Sequence, residues 1–174
     1  MKVAKQTSVN HPTKTKLPST AKTKPASPSP ASTEPNPIRV LKIAECPSIS
    51  LQSTLTYHVG RDQGGQILLR VYGNTGGGQF NPDWVPLTAL QDSLAEYPKD
   101  RPMAVAALRP LFKNRSVNTP AFLFAVLIAE GLVTREGHGY AVGDAGPFLK
   151  TIQALIDSKV DLSGEVDTPQ SATG

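Results

Sequence analysis

The side chains of this chain that could do catalytic or metal chemistry are few, and each stands apart from the others. Cys46 is the single cysteine, which excludes an intramolecular disulfide framework and a multi-cysteine zinc site and fits a reducing cytoplasm. It precedes Pro47 with no histidine close in sequence, so nothing local would generate a thiolate nucleophile. His58 and His138 belong to different segments, and neither shares a metal-ligand spacing with a carboxylate or thiol; both are expected at the surface. Asp92 and Glu96, at i and i+4, read as solvated like charges on one helix face. The run Gly73-Asn-Thr-Gly-Gly-Gly78 could turn backbone N–H groups toward an anion. It lacks the Lys-Ser/Thr of a phosphate loop, and its glycine spacing does not open a helix, so a flexible turn is expected. No nucleophile, base and oxyanion site come together. The expectation is a protein with no catalytic residues, no cofactor and no metal.

A different chemistry is better supplied. Arg109, Lys113, Arg115, Ser116, Asn118 and Thr119 cluster in one stretch, and Arg135 and His138 follow in another; such side chains contact phosphates and base edges. Lys14, Lys16, Lys22 and Lys24 add a second cationic set. The formal net charge is +4, but residues 1–37 hold Lys2, Lys5, Lys14, Lys16, Lys22 and Lys24 against Glu34, a balance of +5 that leaves −1 on the rest. The basic character thus belongs to the N-terminal segment, where scattered lysines would bind phosphate without sequence preference.

That segment has almost nothing to bury. Val3, Val9 and Leu17 are its only larger aliphatic residues after Met1, and the Pro25-Ala-Ser-Pro-Ser-Pro30 run is stiff and extended. Residues 1–37 are therefore expected to be a disordered tail. The tail shares the acid poverty of a transit peptide, but it has no arginine, and prolines at 12, 18, 25 and 28 oppose an amphipathic helix. There is no secretory apolar segment and no run of the roughly 20 apolar residues that a membrane span needs, so no membrane partner is expected.

The elements that must position these side chains begin at Ile38. Alternation predicts a short strand from there, ended by Cys46-Pro47, then a hairpin: Leu55, Tyr57 and Val59 on one face, a turn at Arg61-Asp-Gln-Gly-Gly65, and Ile67, Leu69 and Val71 returning. Trp84, Leu87, Leu90 and Leu94 fall at helical spacing after Asn81-Pro-Asp83, predicting a helix over 84–96. A second helix is predicted over 103–112, shortened or bent by Pro110. A third, with Asn118 or Thr119 as cap, Pro120 at its first turn and Gly131 past its end, is apolar on every side and must be surrounded, by its own domain or by a second subunit. Two alternating arms flank Glu136-Gly-His-Gly139, and Phe148, Leu149, Ile152, Leu155, Ile156 and Val160 predict a closing amphipathic helix. The fold class is α+β, with a single domain over 38–162 (hairpin and helix to 100, helical unit with hairpin over 103–160) and a frayed terminus over 163–174.

The order helix, short turn, helix, small hairpin in residues 103–142, with the string EGLVTREGHGYAV where a helix ends at glycine and a hairpin follows, resembles the winged helix-turn-helix superfamily. The resemblance implies that residues 120–130 lie in a DNA groove and that Arg135 and His138 approach phosphates from the wing. Between Pro120 and Ala129 no side chain can read a base, so contact would fall to Arg109, Lys113, Arg115, Ser116, Asn118 and Thr119 at the helix start. The resulting expectation is a non-catalytic, cytoplasmic DNA-binding protein. The alternative is an interaction module that dimerises, or holds a protein partner, through helices 120–130 and 148–160; a small-molecule site beside residues 73–78 is a third possibility.

Overall fold

The computed structural model describes residues 37–113 and 116–165. The tail lysines, Arg115 and residues 166–174 lie outside them. β1 (Arg39–Pro47), β2 (Thr54–Arg61), β3 (Ile67–Asn74) and β4 (Val85–Pro86) form an antiparallel sheet in that order. The expected hairpin is β2–β3. Its turn is closed by Gly65 at φ +87° and by hydrogen bonds donated from the Gln66 amide to Asp62 Oδ1 and from the Asp62 amide to the Gln66 carbonyl. β1 is the strand expected from Ile38 to Cys46-Pro47: it pairs through to Pro47 opposite Thr54, and a bulge between Val40 and Lys42 turns the extra residue, Leu41, into the core. A bulge of this kind adds one unpaired residue and re-aims its side chain.

The helix expected over 84–96 is α1, Leu87–Ala95. Val85 and Pro86 instead pair with Leu69 and Leu68 as the fourth strand, so Trp84 stands outside the helix. Residues 105–112 form a 3₁₀ helix rather than an α-helix, with Pro110 inside it; proline cannot donate the amide that an α-helical turn needs. α2 (Thr119–Ala129) ends in a Schellman arrangement: Gly131 adopts φ +71°, its amide bonds the Ile128 carbonyl, and the Leu132 amide bonds the Leu127 carbonyl. Five consecutive residues of α2, from Leu123 to Leu127, are buried. They pack on the 3₁₀ helix and on β1, β3 and β5. Much of this apolar helix is thus covered by its own chain, while Ala129 at its end is exposed.

β5 (Val133–Glu136) and β6 (Gly139–Val142) make the second hairpin, and Met103 pairs antiparallel with Tyr140 along its edge. α3 (Gly146–Asp157) buries Phe148 and Ile152. The chain then returns to β1: the Leu162 amide bonds the Val40 carbonyl, and the Val40 amide bonds Ser163 Oγ. Arg39 Nε donates to the Val160 carbonyl at 2.6 Å. Residues 163–165 are accordingly a short 3₁₀ turn fastened to β1, not the frayed end expected there. One apolar cluster runs from Leu41 to Ile152 and joins the sheet to the helical unit. Among the described residues, no helix is long and apolar enough to cross a membrane.

Candidate functional site

The polar groups expected to meet DNA at the start of α2 are largely engaged within the chain. Thr119 is 1% exposed, and its hydroxyl accepts a hydrogen bond from the Asn81 amide at 2.9 Å. The Ser116 hydroxyl and the Asn118 side-chain amide both donate to the Gln79 carbonyl. These three side chains fasten the connection after the glycine run to the helix. Asn118 sits so close to Gly78, which adopts φ +109°, that a Cβ there would lie 2.9 Å from its amide nitrogen. Thr119 is therefore withdrawn from any nucleic-acid surface, a correction to its expected role. Arg109, Lys113, Arg135 and His138 are exposed.

α2 is held against the sheet by a buried polar tether. Tyr57 donates its hydroxyl to Glu130 Oε1, and Lys42 Nζ meets the same oxygen at 2.6 Å. Burial, the hydrogen bond to Glu130 and its charge push the Tyr57 hydroxyl far up. Burial first, and the Glu130 charge second, push the Cys46 thiol up to about 11. A thiol in that setting is protonated and inert, so the Cys46, Tyr57, Glu130 and Lys42 group ties elements together and supplies no nucleophile.

The opposite face of the sheet carries a second cluster. His58, expected at the surface, is 1% exposed. It stacks on Tyr72 with ring centroids 4.5 Å apart, accepts a hydrogen bond from Arg70 Nε at Nδ1 (3.1 Å), and faces Trp84 at 6.3 Å. The Arg70 guanidinium lies 4.4 Å from the Trp84 ring and 5.0 Å from the Tyr72 ring. Burial, with the Arg70 charge adding to it, lowers the His58 pKa to about 4, so the ring is neutral and accepts rather than donates at Nδ1. Trp84 seats on Gly60, where a Cβ would come within 2.8 Å of its ring. The alternation of β2 alone hid this cluster, because its members meet only across strands. Gly60 and Trp84 stand far apart in the sequence, so no local spacing marks the cluster.

Three clefts among the described residues bear on the site. One, about 790 Å³, lies between residues 94–103 and the β5–β6 hairpin. A second, about 240 Å³, is an apolar gap between α1 and Leu127, Leu132 and Ala145. The third, about 230 Å³, is framed by Cys46, Ile49 and Leu51 on one side, by Ile128 and Ala129 of α2 behind, and by Arg135 and Tyr140 of the hairpin. None of the three is lined by residues 73–78.

The third groove has the most unusual rim. Ile49 is 37% and Leu51 78% exposed, and Leu51 adopts φ +58°, a left-handed conformation that costs a branched L-residue about 1–2 kcal/mol. Bonds from the Leu51 amide to the Ser48 carbonyl and from the Ser53 amide to Ser48 Oγ hold the loop in that shape. Arg135 forms no ion pair among the described residues. In the sequence this loop is marked only by the serines that alternate with apolar residues in Pro47-Ser-Ile-Ser-Leu51. Among the described residues, no three His, Cys, Asp or Glu side chains gather as a metal site. Comparison with protein-family models, curated proteins and solved structures returned no match to this chain.

Proposed function

We propose that the folded part is a non-catalytic protein-interaction module of the cytoplasm, and that it engages its partner at the groove between residues 46–51, α2 and the β5–β6 hairpin. The observation that carries this reading is Leu51: a large apolar side chain held in a left-handed backbone and presented to water beside an apolar groove. Retaining both an exposed leucine and a strained backbone at one position points to a use for them in binding. The burial of Leu123 to Leu127 supports the same reading, because these side chains pack in the core and are not available to a DNA groove.

The test is a photo-crosslinking amino acid placed at Leu51 in the native host, with Val117, exposed at 87%, as the control position. A defined protein adduct formed from Leu51 and not from Val117 is expected; equal labelling from both positions, or none from either, would overturn the reading.

A second reading, contact with DNA through the wing, is favoured by one observation. The Met103–Tyr140 bridge places residue 103 along the edge of the hairpin, and Arg135 and His138 stand exposed on that hairpin. On this reading Arg135→Gln weakens duplex binding by the full chain; unchanged binding removes it.

A further inference from the structure

We infer that the groove takes a linear segment of a partner protein in which one large apolar side chain stands beside a carboxylate, the apolar group entering the groove and the carboxylate pairing with Arg135. This rests on the interaction-module reading and adds to it the chemistry of the partner. A space of about 230 Å³ suits a single inserted side chain rather than the face of a helix. Its buried wall is Ala125 and Cys46, with Ile128 partly buried beside them, and a neutral thiol asks for no charge there. Arg135 is the one charged residue in the lining. Its guanidinium, without an ion pair among the described residues, presents the planar fork that matches a carboxylate. Ile49 and Leu51 form the outer lip, so an inserted side chain would also cover the exposed apolar surface of the loop. Nearby, Lys42 and Glu130 neutralise one another, leaving Arg135 to set the sign of the site.

The full chain, labelled with ¹⁵N, is titrated with the capped tetrapeptide Gly-Phe-Asp-Gly and with its Gly-Phe-Asn-Gly counterpart. The expected result is movement of the Ile49, Leu51, Ala129 and Arg135 amides, with the aspartate peptide binding about tenfold more tightly, as one charge-assisted contact implies. Arg135→Gln should bring the two peptides to equal affinity, and Ala129→Glu, at an exposed position, should compete for Arg135 and weaken the aspartate peptide selectively. Equal affinities for the two peptides in the unmodified chain would overturn the inference, as would an absence of movement at these amides. A groove whose resonances shift on dilution of the free protein belongs to a second copy of the chain, which also overturns it. In each of these cases an adduct confined to Leu51 in the crosslinking experiment would leave the interaction module standing and discard only the acidic, apolar partner.

Discussion

His58 shows how a single residue's surroundings reverse its role. Read along β2 it alternates onto the polar side with Thr54 and Thr56; in the sheet it is sealed beneath Tyr72 and Trp84 and held neutral by burial and by Arg70. No spacing within one strand carries that information, because Tyr72 and Trp84 reach His58 only through the register of β2 with β3 and the position of β4. The ring has a measurable consequence. Its pKa is about 4 in the folded chain, against an ordinary value of 6.5, so between those values the unfolded chain binds the extra proton. Stability contributed by neutral His58 is therefore complete above about pH 6.5 and is lost as the pH falls toward 4, by on the order of 2 kcal/mol. Urea denaturation between pH 4 and 7 should show this slope, and His58→Gln, which keeps an acceptor for Arg70, should flatten it relative to the parent. Parallel curves for the two proteins would mean that His58 takes up its proton while folded.

At the scale of elements, local periodicity was legible and non-local pairing was not. The β2–β3 hairpin, the position of α2 and its glycine stop, and the closing α3 follow from alternation, from three-and-four spacing and from cap chemistry, all of which act within a few residues. The helical register that appeared to begin at Trp84 was real from Leu87 onward, but Val85 and Pro86 gain more by pairing with β3 than by extending the helix, and that partner is set by the fold. The 3₁₀ form of residues 105–112 follows from Pro110, whose effect was expected as a shortening or a bend. Two glycines test how firmly the elements are seated. A Cβ at Gly60 would lie 2.5 Å from Ile38 Cγ2 and 2.8 Å from the Trp84 ring, both side-chain atoms; one at Gly143 would lie 2.1 Å from the Gly131 carbonyl oxygen, which is backbone. Gly143 also donates its amide to Leu132 at 2.9 Å, so neither strand of that contact can retreat. Gly60→Ala should cost about 1–3 kcal/mol and shift the emission of Trp84, the only tryptophan, to the red. Gly143→Ala should cost more than about 3 kcal/mol by the same overpacking argument. Thermal denaturation followed by fluorescence orders the two, and a milder effect at Gly143 would show that the turn after α2 can move.

At the scale of the whole molecule, charge and apolar surface are assigned to different parts of the chain. Residues 38–174 are close to neutral and carry the groove at residues 46–51, whereas the positive balance sits in residues 1–37. Composition alone made that division readable, since it needs only a count of lysines and acids. The choice between DNA and a protein partner for residues 103–142 was not readable, because it turns on what covers α2. With the sheet tied to that helix through Tyr57, Lys42 and Glu130, duplex binding by the full chain should come chiefly from the lysines of residues 1–37. Binding of that kind weakens with salt in proportion to the phosphates neutralised, with a slope of about −0.9 per contact. Replacing Lys14, Lys16, Lys22 and Lys24 with glutamine should therefore flatten the logarithmic salt dependence by about 3 to 4 and abolish binding near physiological salt, as read by anisotropy of a labelled duplex. Replacing Arg109, Lys113 and Arg135 together should change the affinity less than about twofold, since a few surface cations on a nearly neutral fold make no continuous phosphate track. The reverse ordering, with the fold's cations dominating the slope, would move the contact to the β5–β6 hairpin and make the winged unit the DNA-binding part of the chain.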